Sequence, residues 1–259
     1  MHVRRWGRVL RSEWTKLRTV PSTLWTLSTA VLVTVGLSAL VCVFTRREWE
    51  DFSVARKLTF DPTFTSFAGT GLGQLAMIAF GVLVVSGEYS TGMIRNSLAA
   101  VPQRGLFLAA KVTVTAVVVL VVGAVTSWGS FLLGQWLLGP LGTDVTEPGV
   151  ARAVVGAGLY MALMALFAMG GAVVLRSPLL AFGVLMPFFF LVSNVLGAVS
   201  ATRRVARFLP DQAGSAVMAV VPQEGGDRPY GPWGGLLIMV AWVVAALLAG
   251  WITLQRRDA

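Results

Sequence analysis

The residues that ordinarily carry enzymatic chemistry are nearly missing from this 259-residue chain. Its one histidine is His2 and its one cysteine is Cys42. A Ser-His-Asp triad, a His-Glu-x-x-His zinc site and a multi-thiolate metal centre each need more than that. No Gly-Lys dipeptide occurs, so no Walker A loop can cradle nucleotide phosphates. The stretch Gly69-Thr70-Gly71-Leu72-Gly73 opens an apolar segment with no strand before it, and reads as close helix packing. The expectation is a chain that is not an enzyme and holds no cofactor of its own.

Three sets of residues remain that could do work. The first is the N-terminal twenty. At about 100° per residue, Val3, Trp6, Leu10, Trp14 and Leu17 fall within about 80° of arc. Arg4, Arg8, Arg11 and Arg18 lie opposite, with Arg5 and Lys16 flanking them. That pattern predicts a helix lying in a membrane interface, tryptophans at headgroup depth and arginines toward anionic lipid or a partner. Pro21 breaks it. The second set is the loop from Gly87 to Gly105. Ser90 or Thr91 can cap a short helix there, Glu88 favours its positive end, Ile94, Leu98 and Val101 form one stripe, and Pro102 ends it. The third set is the amides Gln74, Gln135 and Asn194. Each reads first as an interhelical hydrogen-bond partner, worth about 0.6 kcal/mol on average, and second as a contact along a substrate path.

The elements that must position these residues follow from composition. Hydrophobic residues make up 56% of the chain and charged ones 13%, about half the share of a soluble domain. One core cannot hide so much apolar surface, so the bilayer is the expected solvent. Six segments read as spans: 23–44, 67–87, 106–138, 153–175, 179–199 and 234–254. Lys111 is the only ionisable Asp, Glu, Lys or Arg inside any of them, in a stretch expected to protrude into water. Without water to satisfy their backbone, the spans must be helices. The fold class is therefore all-α, a polytopic membrane protein of six transmembrane helices in a single permease-like domain over 1–259. Residues 1–22 form the interfacial helix, 23–254 the bundle and 255–259 a tail. With the N-terminus inside, twelve Lys and Arg residues fall on the cytoplasmic side and nine outside. Both termini are placed in the cytoplasm of a plasma (inner) membrane protein, and the +9 charge belongs to that surface, not to nucleic acid. Between the last two spans, Asp211 is expected to cap a short run through Val221, ended by Pro222.

The chain resembles the membrane permease subunit of type-2 ABC transporters, most closely the actinobacterial kind. The likeness rests on Ser12-Glu13-Trp14-Thr15-Lys16-Leu17-Arg18-Thr19 and on Gly87-Glu88-Tyr89-Ser90-Thr91-Gly92-Met93-Ile94-Arg95, followed by Leu98-Ala99-Ala100-Val101-Pro102-Gln103-Arg104. Leu209-Pro210-Asp211-Gln212-Ala213-Gly214 and the terminal Arg256-Arg257-Asp258-Ala259 complete it. Ser90 departs from the family, where Arg is frequent. The resemblance implies an exporter subunit paired with a second permease copy, as homodimer or heterodimer, and seated on a separate ABC ATPase that binds ATP and Mg. It also implies that residues 90–101 form the helix that couples to that ATPase, with Glu88, Tyr89, Ser90, Thr91, Gly92, Met93, Ile94, Arg95 and Leu98 at the contact. The N-terminal helix, through Trp6, Leu10, Trp14, Lys16, Leu17 and Arg18, would be the connecting helix. Two other functions compete: an ion-coupled secondary transporter, disfavoured because no span contains an acid, and a permease-like protein with an immunity or structural role.

Overall fold

A computed structural model describes residues 2–101, 103–221 and 228–256. The side chains of Val3, Arg4 and Arg5, and residues Pro102, Pro222 and 257–259, lie outside the described residues. Among those described, the regular structure is helical, with no strand. In chain order the helices are α1 (His2–Thr19), α2 (Pro21–Arg47), the short α3 (Val54–Leu58) and α4 (Pro62–Thr65), α5 (Thr70–Ser90), α6 (Met93–Ala100), α7 (Arg104–Leu138) and α8 (Val150–Leu175). Then come α9 (Pro178–Pro187) and α10 (Ser193–Ala198), joined by a π-helical turn at Phe188–Val192, and α11 (Ser200–Ala206), α12 (Pro210–Gly214) and α13 (Pro232–Arg256). Six of these, α2, α5, α7, α8, the α9–α10 unit and α13, are long and apolar enough to cross a membrane. The protein is an all-α polytopic membrane protein.

One helix of the bundle is patterned the reverse way from a helix of a soluble protein. Helix α2 turns Thr23, Ala30, Thr34, Ser38, Cys42 and Thr45 inward at helical spacing and leaves Leu24, Trp25, Leu32, Leu40 and Phe44 exposed. Lipid tails are as apolar as leucine, so burying leucine gains little. Close backbone approach and hydroxyl hydrogen bonds draw the helices together instead. Helix α8 is the hub, packed on α5, α7 and α13. Gly81 of α5 abuts the Ala165 carbonyl, Gly123 of α7 meets Gly158, and Gly170 lies against the backbone of α13 at Ala246. A Cβ at any of these positions would overlap a neighbouring backbone.

Helix starts follow proline chemistry. Pro21 and Pro178 each occupy a first turn, where the missing N–H costs nothing, and Ser177 caps α9 by accepting from Leu180 N at 3.4 Å. The second span begins at Thr70, not at residue 67, because Phe67–Gly69 is a turn pinned to α2 by Gly69 N–H donating to Ser38 Oγ at 3.0 Å. The third is one unbroken helix of 35 residues, about 52 Å long at about 1.5 Å per residue. Lys111 does not protrude; it is buried against α1 and α5.

At the end of the bundle opposite α1, the connections interlock. Asp61 caps α4 through Phe64 N at 2.9 Å, while its other oxygen accepts from Val220 N at 2.6 Å and Val221 N at 2.8 Å. Arg152, entering α8, donates to the Val217 and Ala219 carbonyls at 3.0 and 3.1 Å. Helix α12 packs on α8 and α13. Asp211 does not cap it: Leu209 is the N-cap residue, and Asp211 points into the bundle toward Ser193. The run is also shorter than expected, ending in a 3-10 turn at Ser215–Met218.

Gly158→Leu is expected to force α7 from α8, costing about 1–3 kcal/mol or preventing folding. Gly71→Ala, with open space at its Cβ, is expected to leave stability unchanged or slightly raised. Thermal melts of the two variants in detergent check the contrast.

Candidate functional site

The ionisable groups that the sequence scatters over three segments converge on one point at the α1 end. Lys111 Nζ lies 2.6 Å from Glu13 Oε2 and 2.8 Å from Glu88 Oε1. Lys16 Nζ lies 2.7 Å from Glu13 Oε1 and 2.8 Å from the same Glu88 Oε1. The result is a closed ring, Glu13–Lys16–Glu88–Lys111, in which each lysine touches both acids and the net charge is zero. Ser97 of α6 accepts a further bond from Lys16 at 3.1 Å, and the Phe107 ring lies under both ammonium groups, at 5.6 and 5.4 Å.

Helix geometry explains the convergence. Glu13 and Lys16 stand three apart on α1 and so share a face; Glu88 closes α5; Lys111 sits two turns into α7. Three of the four are almost fully buried, and only Lys16 keeps a quarter of its side chain exposed. Isolated charges in such a place would cost several kcal/mol each, so all four must be satisfied together. For Lys16, burial acts to lower the ammonium pKa, but the bonds and charges of Glu13 and Glu88 outweigh it and hold it above the usual lysine value. One atom is left over. Glu88 Oε2 is buried without a hydrogen-bond partner beside a cavity of about 10 Å³, lined by Tyr89, Ile94, Phe107, Val173 and Leu254 among others.

The ring fixes how α1 sits. Its buried face carries Val9, Glu13 and Leu17, rotated from the apolar stripe that the sequence suggests. Leu10 and Trp6 are half-buried, while Trp14 is 48% exposed and Arg18 is fully on the outside. Electrostatic pairing to Lys111 overrides the hydrophobic direction.

Around α6 the sequence-derived residues separate by role. Tyr89 is half-buried with the Arg176 guanidinium 5.8 Å from its ring centroid. Ser90 and Thr91 do not cap α6. Both hydroxyls donate back to the Gly87 carbonyl, at 3.1 and 2.7 Å, and close α5 instead. Gly92 then turns the chain with φ +70°, a left-handed conformation that favours glycine. Ile94 is buried and Leu98 packs on the core, whereas Ser90, Thr91, Gly92, Met93, Arg95 and Asn96 are exposed. Together α1, α6 and the start of α7 enclose a groove of about 530 Å³ bordered by Arg8, Lys16, Met93, Asn96 and Gln103.

The three amides are not gathered into a path. Gln74 accepts from Tyr160 OH and donates to the Gly71 carbonyl. Gln135 ties Pro62 O, Ser66 Oγ and Thr143 N together. Asn194 donates to Phe189 O and Phe190 O, filling the π-turn of its own span. Glu13, Ser97 and Asp61 were given no role by the sequence reading, and Asp211 was given a capping role in place of its contact with Ser193. For Glu13 a signal existed: an acid one turn before Lys16, at the same end of the bundle as the lone lysine of a span. The others are contacts between distant segments with no local mark.

Fold and site define a six-span helical membrane protein whose N-terminal helix is ionically locked to one end of the bundle. No family model matches the sequence, and no curated protein matches it.

Lys111→Met is expected to strand Glu13 and Glu88 and to cost about 3–5 kcal/mol, while Glu13→Gln combined with Lys111→Met recovers part of that loss. A double-mutant cycle of unfolding in detergent measures both. Because Lys16 holds its proton more tightly when folded, its contribution is complete below the ordinary lysine pKa and disappears as pH climbs through the raised one. Proteolysis of α1 should therefore stay slow to strongly alkaline pH in the wild type and become pH-insensitive in Lys16→Met.

Proposed function

We propose that this chain is the membrane-spanning permease subunit of an ATP-driven ABC exporter, and that a separate ATPase subunit docks on the end bearing α1 and α6. One observation carries the proposal. Helix α6 is held from behind by Ile94, Leu98 and the Ser97 link to the buried ion ring, and is bare in front at Met93, Arg95 and Asn96. A short helix so anchored transmits a push from a soluble partner into α1, α5 and α7 at once, because the ring joins all three.

In this reading the α1 end and both termini are cytoplasmic and the protein sits in the plasma membrane. Exposed Arg8, Arg11, Arg18 and Arg95 at that end agree with the bias of basic residues toward the inside. ATP and Mg belong to the partner chain. A second permease copy, identical or not, completes the route for the substrate, and exposed Trp14 meets lipid headgroups.

The test is reconstitution with the cognate ATPase. Met93→Asp together with Arg95→Glu should weaken ATPase binding about tenfold or more, roughly 1.4 kcal/mol, and lower transport-linked hydrolysis without changing the permease melting temperature. Transport by the chain alone in liposomes, or purification from native membranes with no ATPase attached, overturns the reading.

A further inference from the structure

Another buried carboxyl group reaches the bundle from the connection between the last two spans. Asp211 rides on α12 and is only 4% exposed, packed beneath the end of the bundle opposite α1. Its partner Ser193 lies five residues before the end of α10, and Tyr160, whose ring abuts Gly214 of α12, lies ten residues into α8. At about 1.5 Å per residue these positions are roughly 7–15 Å below the helix ends. A carboxylate at such depth requires a cation or a proton.

No cation is at hand. Among the described residues, Asp211 makes no ion pair. Helix α13 brings no charged group to it, α10 brings Ser193, and α8 brings Tyr160, whose hydroxyl donates to Gln74 instead. Two arginines at this end of the bundle are engaged elsewhere: Arg152 with the Val217 and Ala219 carbonyls, and Arg203 with the Gly197 and Ala198 carbonyls at 3.2 and 3.1 Å. The hydrogen bonds that reach the carboxyl bring no charge either. Ser193 Oγ, itself fully buried, is 2.7 Å from both carboxyl oxygens of Asp211. Its one hydroxyl hydrogen is shared between the two oxygens. Gln212 Nε2 donates to Oδ2 at 3.3 Å, and the backbone N–H groups of Asp211 and Gln212 reach the carboxyl as well, so every donor is neutral.

We propose that Asp211 is a proton-binding site: the carboxyl is protonated while α12 is docked, and loss of that proton to water on the α12 side of the membrane releases α12 from Ser193 and the bundle. The step breaks the carboxyl O–H bond, delivers a proton to bulk water and leaves a buried carboxylate with no cation beside it. Burial supports this by pushing the Asp211 carboxyl above the usual carboxylate range despite its hydrogen bonds. The docked state binds the proton more tightly than the released state, so docking is strongest at low pH and weakens as pH rises. The site does not depend on an ATPase, and neither does its test.

Two measurements on the full chain in lipid nanodiscs decide it. Infrared difference spectra between the wild type and Asp211→Asn should show the carbonyl stretch of a protonated carboxyl at neutral pH, lost on alkaline titration. An ionised Asp211 at neutral pH overturns the proposal without reliance on any variant being active. In a Cys42→Ser background, the fully buried Ala213 is replaced by cysteine to report exposure of α12. Intrinsic thiol reactivity is divided out using an exposed control, Val205→Cys. The corrected labelling rate should rise about tenfold per pH unit between the released and docked titration points, and should be flat when Asp211→Asn is added. A pH profile that is the same with and without Asp211→Asn overturns the proposal.

Discussion

Four alternating charges, packed where water scarcely reaches, hold the α1 end of this protein together. Glu13, Lys16, Glu88 and Lys111 each come close to two of the others, and none has a comparable alternative partner within the described residues. Such a ring is a poor source of net stability, since desolvation consumes most of what attraction returns. Its value lies in specificity. Apolar side chains would let α1 slide or roll against α7, whereas a ring tolerates one rotation and one depth. That is why α1 buries Glu13 and leaves Trp14 outside, against its own apolar stripe.

The rest of the bundle obeys a matching rule with weaker forces. Helix α2 turns hydroxyl and small residues inward and most of its large apolar residues outward, and α8 is approached from three sides through glycine. Contacts of this kind are short and rigid. Motion at the α1 end is therefore passed along helices as a shift of whole rods, with little taken up between them. At the other end, the clasp of Asp61 on Val220 and Val221 joins the first extramembrane connection to the last one. The two ends are thus tied by different means, an ion ring at one and carboxylate-to-backbone bonds at the other.

Much of this was legible in the amino-acid order, for a physical reason. Span positions depend on local hydropathy summed over about twenty residues, so α2, α7, α8 and α13 lie close to where hydropathy puts them. The stripe of Ile94 with Leu98 is likewise local. What could not be read was non-local. The pairing of Glu13 with a lysine 98 residues away rests on the packing of two separate helices, and nothing around Asp211 shows that its loop folds back beside Ser193. Ser90 and Thr91 misled because the same hydroxyl residue closes one helix as readily as it opens the next. Gly92, in its left-handed conformation, decided which.

The π-turn at Phe188–Val192 has a consequence for register. Ala181, Leu185, Phe189 and Ser193 all face inward at intervals of four. In an uninterrupted α-helix each such step drifts by about 40°, so by the third the side chain would have swung roughly 120° toward lipid. The widened turn absorbs part of that drift. Deleting a single residue there would present a different side chain to Asp211 while leaving the hydrophobic profile of the span almost unchanged. A sequence comparison scored on hydropathy alone would pass over such a change, although it would dismantle the Ser193 contact.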